Sequence, residues 1–111
     1  MAFTPANGNG TLNGTTAVTL VAAPAANVRR TVINLTVMNR DTAAVTMTLR
    51  YVDGANTRQL WKGRIEIDDS FVWDREILLD DTDDSVTAVL AAAVATTQPD
   101  YVVTYADRTV V

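Results

Sequence analysis

Ala44-Val45-Thr46-Met47-Thr48-Leu49-Arg50-Tyr51-Val52 alternates without a fault. Val45, Met47, Leu49 and Tyr51 fall on one side, and Thr46, Thr48 and Arg50 on the other. A period of two is the signature of a strand with one buried face. Asp53-Gly54 follows at once, a pair that favours a tight hairpin turn.

The same period recurs on both sides of this run. Thr16–Val21 places Val18 and Leu20 together, and a break containing Pro24 follows. Arg29–Met38 is expected to turn Ile33, Leu35 and Val37 inward and Asn34 and Thr36 outward, ending in the turn Asn39-Arg40-Asp41-Thr42. Thr57–Ile67 sets Trp61 and Ile65 opposite Arg58, Lys62 and Arg64. Phe71 and Trp73 begin a run that continues through Ile77 and Leu79. Tyr101–Ala106 aligns Tyr101, Val103 and Tyr105. Breaks about every ten residues predict an all-β fold, a single antiparallel β-sandwich of jelly-roll or Ig-like type with seven to eight strands.

Ser85–Ala95 admits two readings. Its alanines favour a helix that Asp84 or Ser85 would cap. Val86, Ala88 and Leu90 nevertheless alternate, and Thr87 and Val89 are β-branched, which points to a strand.

Composition agrees with strands. The 111 residues include 17 Thr and 15 Val against 8 Leu and 2 Glu. That length suits one domain with one core. Residues 1–14 carry Gly8, Gly10 and Gly14, each beside Asn, and read as a flexible N-terminal arm ahead of a sandwich domain over residues 15–111.

Function classes narrow by elimination. The chain has no His and no Cys. The commonest general base, the thiol nucleophile and the usual zinc ligands are therefore missing. Ser70 and Ser85 have no imidazole to activate them, and neither a phosphate loop nor an Asp-Thr-Gly motif occurs. No enzyme and no cofactor are expected. Asp80-Asp81-Thr82-Asp83-Asp84 is the one acidic constellation. Counted from Asp81, an EF-hand would need Gly at its sixth position and Glu at its twelfth, where Val86 and Ala92 stand. A solvated turn is the expectation, and no metal site.

Net charge is −4, which disfavours a nucleic-acid partner. No apolar stretch is long enough for a membrane helix, and the start lacks a secretion signal, so a soluble protein made in the cytoplasm is expected. Arg outnumbers Lys 8 to 1, a usage that suits planar contacts at protein interfaces. Arg40, Arg58, Arg64 and Arg75 are candidate interface residues, together with Trp73. That Trp shares the parity of the core yet stands beside Asp74-Arg75-Glu76, so core packing and interface anchoring are both open to it.

The segment Ala23-Pro24-Ala25-Ala26-Asn27-Val28-Arg29-Arg30-Thr31-Val32-Ile33-Asn34-Leu35-Thr36-Val37-Met38-Asn39-Arg40 resembles the opening of small β-sandwich structural proteins of tailed bacteriophages. Val45–Leu49, Leu60-Trp61-Lys62-Gly63 and the ending Thr96–Asp107 fit the same pattern, so the likeness extends over residues 15–107. It implies a virion component made in the host cytoplasm. This would be a capsid decoration (cement) subunit beside the major capsid protein, or else a neck, tail or fibre-associated module. It also implies a homo-oligomer, with a trimer favoured. The other function class compatible with these residues is a host-surface carbohydrate module, for which Trp73-Asp74-Arg75 is the local candidate.

Overall fold

The computed structural model describes residues 4–110. It is all-β, with 64% of residues in strands and two antiparallel sheets packed as a sandwich. Nine strands run β1 Thr4–Thr11, β2 Val18–Val21, β3 Val28–Met38, β4 Val45–Asp53, β5 Asn56–Ile65, β6 Ser70–Trp73, β7 Ile77–Leu79, β8 Asp84–Leu90 and β9 Asp100–Thr109. Sheet 1 has the order β1-β9-β3-β6, with β7 also pairing β3. Sheet 2 has the order β2-β8-β4-β5.

The quoted run becomes β4, a central strand of sheet 2. Val45, Met47 and Leu49 enter the core and share one buried cluster with Leu35, Val37 and Val103 of sheet 1. Each fully buried side chain of this size stabilises by about 1.5–3 kcal/mol relative to exposure. Asp53-Gly54 makes the β4–β5 hairpin, with Gly54 at φ 57°.

Ser85–Leu90 is strand, and Val86, Ala88 and Leu90 are buried as the alternation required. Ala91–Ala95 is neither helix nor strand. There the alanines carry no branched side chains to fill a sheet face, and the chain leaves the ladder.

Three expectations need correction. The first concerns β3, whose register with β9 shifts between Val32 and Asn34. The extra residue is Ile33. Val32 is buried in its place, while Ile33 is 42% exposed. A bulge resets the alternation, so one parity cannot hold along the whole strand.

The second correction concerns the arm. Thr4–Thr11, placed within a flexible arm by composition, is a regular strand paired with β9 from Thr4↔Asp107 to Thr11↔Asp100 without a shift. Leu12 next to it is 1% exposed, and the Gly14 amide donates to Gln98 Oε1 at 2.9 Å. Small residues here serve fit, not freedom: a Cβ on Gly10 would lie 3.0 Å from the Tyr101 ring. Residues 1–3 of the expected arm lie outside the described residues. The third correction follows from the second. The strands number nine because β1 joins the sandwich and the Phe71–Leu79 run divides at Asp74-Arg75-Glu76.

The turn after β3 does more than reverse the chain. Asn39 is fully buried, and its Nδ2 donates to the carbonyls of Ala43, Ile65 and Glu66 at 3.0–3.2 Å. Its Oδ1 accepts the Asp41 amide at 2.9 Å. The Asp41 carboxylate accepts from the Ala95, Thr96 and Thr97 amides and the Thr96 hydroxyl at 2.8–3.1 Å. One turn thereby fixes the end of β5 and the β8–β9 loop. At the other end Arg30 grips Asp107 with two hydrogen bonds of 2.8 and 3.1 Å and donates to the Ala22 carbonyl at 2.7 Å. Bidentate pairs of this kind fix orientation as well as distance.

Candidate interaction surface

Alternation decides what each sheet shows to solvent. In sheet 1, Val32, Leu35 and Val37 of β3, Val103 of β9, and Ile77 and Leu79 of β7 are buried. Their neighbours in sequence therefore face outward. Among the described residues the exposed large hydrophobics are Ile33, Met38, Ile67, Val72, Leu78 and Val102, at 42–53% exposure. All but Ile67 stand on the outer side of sheet 1.

The register sets them in rows. Asn9, Val102, Thr36 and Val72 lie side by side across β1, β9, β3 and β6. The next row is Asn7, Thr104 and Asn34, and the third is Pro5, Ala106, Thr31 and Leu78, with Ile33 beside it. None of these side chains is charged. Charge surrounds them: Arg29 opposite Arg108 at one end, Asp100 at the other, Asp74 and Arg75 at the break between β6 and β7, and Glu76 there beside Thr31, Ile33 and Ala106. An uncharged centre, in which aliphatic side chains flank a row of Asn and Thr, inside a charged rim suits a protein–protein contact.

Sheet 2 presents the opposite character. Its outer rows carry Thr46 with Arg64 and Thr48 with Lys62, and Arg50 lies opposite Thr87. This face is threonine-rich and basic.

The candidate residues from the sequence do not converge. Arg40 sits in the β3–β4 turn and pairs with Asp100 at 2.9 Å, which raises its pKa. Arg64 pairs with Glu66 at 2.8 Å. Both pairs are well exposed, where such contacts add little. Arg58 lies on β5 opposite Tyr51, and because the register shift leaves Leu60 over, it falls on the side of Trp61 and not opposite it as the alternation required. Only Trp73 and Arg75 meet, with the guanidinium 5.8 Å from the ring centroid.

Trp73 belongs to an aromatic ladder that closes the margin between β5 and β6. Trp61 stacks on Phe71 at 4.1 Å, and Phe71 leans on Trp73 at 6.5 Å. On its other flank Trp61 lies over Gly63, where a Cβ would come within 2.5 Å of the ring. These three rings are half-buried against one another and line a shallow groove with Asp74 and Arg75.

The acidic loop is held from inside. The Asp80 amide donates to Asp84 Oδ2 at 3.2 Å, and the Gly54 amide to the Asp83 carbonyl at 3.1 Å. Asp84 is 3% exposed. Burial alone would push its carboxyl up. Its contact with Tyr51 and the hydrogen bond from the Asp80 amide hold it below the usual range. Burial and then Asp84 push the Tyr51 hydroxyl far above its ordinary value. No group of three acids converges as a metal cage among the described residues.

Asp53 is cross-strand neighbour to Asp84, and that negative charge raises its pKa. Like charges directly opposite destabilise a ladder. The folded pKa of Asp53 lies above its unfolded one, so its penalty is present near neutrality and fades as pH falls. Asp53→Asn is expected to raise the melting temperature at pH 7 by about 2–5 °C and to bring less benefit at pH 4. A melting series over that range measures both.

No protein-family profile and no curated protein sequence matches the chain. Solved structures do. A chain from the work "Bacillus endospore appendages form a novel family of disulfide-linked pili" superposes with a TM-score of 0.56 at 14% identity, over 99% of this chain and 88% of that one. A chain of the cyanophage Pam1 capsid asymmetric unit gives 0.43 at 18% identity, over 98% and 82%. One from the infectious bursal disease virus Gt strain gives 0.33 at 11% identity, over 96% and 32%. At these identities the likeness is one of fold, and the first superposition carries it.

Proposed function

We propose that this chain is a non-enzymatic structural subunit that docks on neighbouring subunits through the outer face of sheet 1. In its finer form the reading is a virion subunit, a phage capsid decoration (cement) protein lying on the major capsid protein. The observation that carries the docking reading is the gathering of Ile33, Met38, Val72, Leu78 and Val102 on one side of one sheet, with uncharged Asn and Thr between them. The phage placement rests on the resemblance of residues 15–107. Four strands at ~4.8 Å and ten residues at ~3.4 Å give this face roughly 650 Å². A standard contact uses about 800 Å² per partner. The chain has no Cys, so linkage by disulfides is outside its chemistry.

The test is rebinding. Purified protein added to particles stripped of it should bind their outside, since a net charge of −4 is poorly matched to packaged DNA. Val72→Asp combined with Val102→Asp should weaken rebinding by roughly 30-fold or more, while the circular dichroism spectrum stays unchanged. Full rebinding by this variant overturns the docking face. Binding confined to the tail overturns decoration and leaves the structural reading standing.

A further inference from the structure

A sandwich has four sheet edges, and each is a template for another strand unless something blocks it. Three edges here are blocked. β2 is four residues long with a register shift. The β6–β7 edge is two short pieces separated by Asp74-Arg75-Glu76. β5 is long, but it has a register shift of its own and bears Arg58, Lys62 and Arg64.

β1 has neither a charged side chain nor a register shift over its eight residues, and its one guard is Pro5 near the start, which leaves the edge from Ala6 to Thr11 open. Its far side makes no ladder among the described residues. Little of β1 goes into the core, because the residues on its inward side are Thr4, Ala6, Gly8 and Gly10, across from Asp107, Tyr105, Val103 and Tyr101. A strand this poor in packing groups and this regular in backbone has its free N–H and C=O row as its main asset.

We infer that β1 pairs antiparallel with β1 of a second copy, joining two copies of sheet 1 into one continuous sheet. Head-to-tail pairing among copies would need a second open edge on the same molecule, and the other three are blocked. The one remaining self-pairing is isologous, and it closes at two copies. This differs from the trimer that the resemblance implies. Self-pairing brings no charges together along the seam, because β1 has none and the flanking Asp107 and Asp100 are already bound to Arg30 and Arg40. The doubled sheet also lays two neutral outer faces side by side.

Sedimentation equilibrium tests this on the intact chain. The expected species is twice the 12.0 kDa chain mass, dissociating in the micromolar range. Asn7→Lys with Asn9→Lys, both at exposed positions, should weaken pairing by at least about tenfold with an unchanged melting temperature at concentrations below the pairing range. Asn7→Asp with Asn9→Asp should do the same. An equimolar mixture of the two variants should restore the pair, which a merely structural defect could not do. A monomeric wild type at about 200 μM overturns the inference, as does a Lys variant that stays paired or a mixture that stays monomeric. Each of these outcomes leaves the docking face standing, because that is read from Val72 and Val102 in the rebinding assay.

Discussion

Asp41→Ala is expected to lower the melting temperature by about 10 °C or more. The carboxylate accepts four hydrogen bonds from Ala95, Thr96 and Thr97, and its removal strands three backbone amides in a part-buried loop. Stranded donors cost their full desolvation, which is larger than the net worth of the bonds. Asp41→Asn should fall between wild type and Ala. One oxygen can stay with Thr96 and Thr97, while the new NH₂ faces the Ala95 amide. The pH profile carries a second signature. The three amides hold the Asp41 carboxyl far below its ordinary value. A depressed folded pKa contributes stability that is complete above the unfolded value, about 3.9, and is lost as pH falls below it. Wild type should therefore lose stability steeply between about pH 4 and pH 2, and Asp41→Asn should flatten that fall. Parallel pH profiles would contradict the assignment of the loop clasp to this carboxylate.

That clasp shows where sequence reading stops. The strands were legible because a buried face imposes a period of two, and Val45, Met47 and Leu49 obey it with no bulge between them. Ile33 was misplaced because a bulge adds one residue, and nothing in the residue types of Val32-Ile33-Asn34 marks which one is extra. Asn39 and Asp41 have, in sequence, only the character of turn formers. Their partners lie up to 56 residues away in sequence, and only the fold brings them near. Charges are equally opaque. Arg40 and Arg64 looked available as interface groups, yet each has an acid within 3 Å. The neutral face of sheet 1 had a readable signal in the large aliphatics Val72, Leu78 and Val102, at positions of the wrong parity for the core. The glycines of β1 had the wrong signal, since smallness for fit and smallness for freedom look alike in composition.

Deleting residues 1–14 decides between those two meanings of glycine, and the structure predicts loss of the fold's stability. The deletion removes β1, and with it the whole ladder from Thr4 to Thr11. It leaves β9 as a bare edge with Tyr101, Val103 and Tyr105 uncovered on one flank. It also removes Leu12, whose amide donates to the Pro99 carbonyl at 2.9 Å and whose side chain lies in the core cluster. Leu12→Ala alone should cost about 2–5 kcal/mol, against a total of about 5–15 kcal/mol for a domain. Chemical denaturation with urea measures both variants, and a shorter deletion separates their causes. Removal of residues 1–10 keeps Leu12 and Gly14 and should cost less than removal of 1–14. If the 1–14 deletion unfolds at the wild-type midpoint, the segment is an arm after all and β1 is dispensable to the sandwich. If instead Leu12→Ala and the full deletion cost the same, the stability lies in the one leucine. β1 is then free to act as a pairing edge without holding the core, and its eight residues answer to the neighbour rather than to the fold.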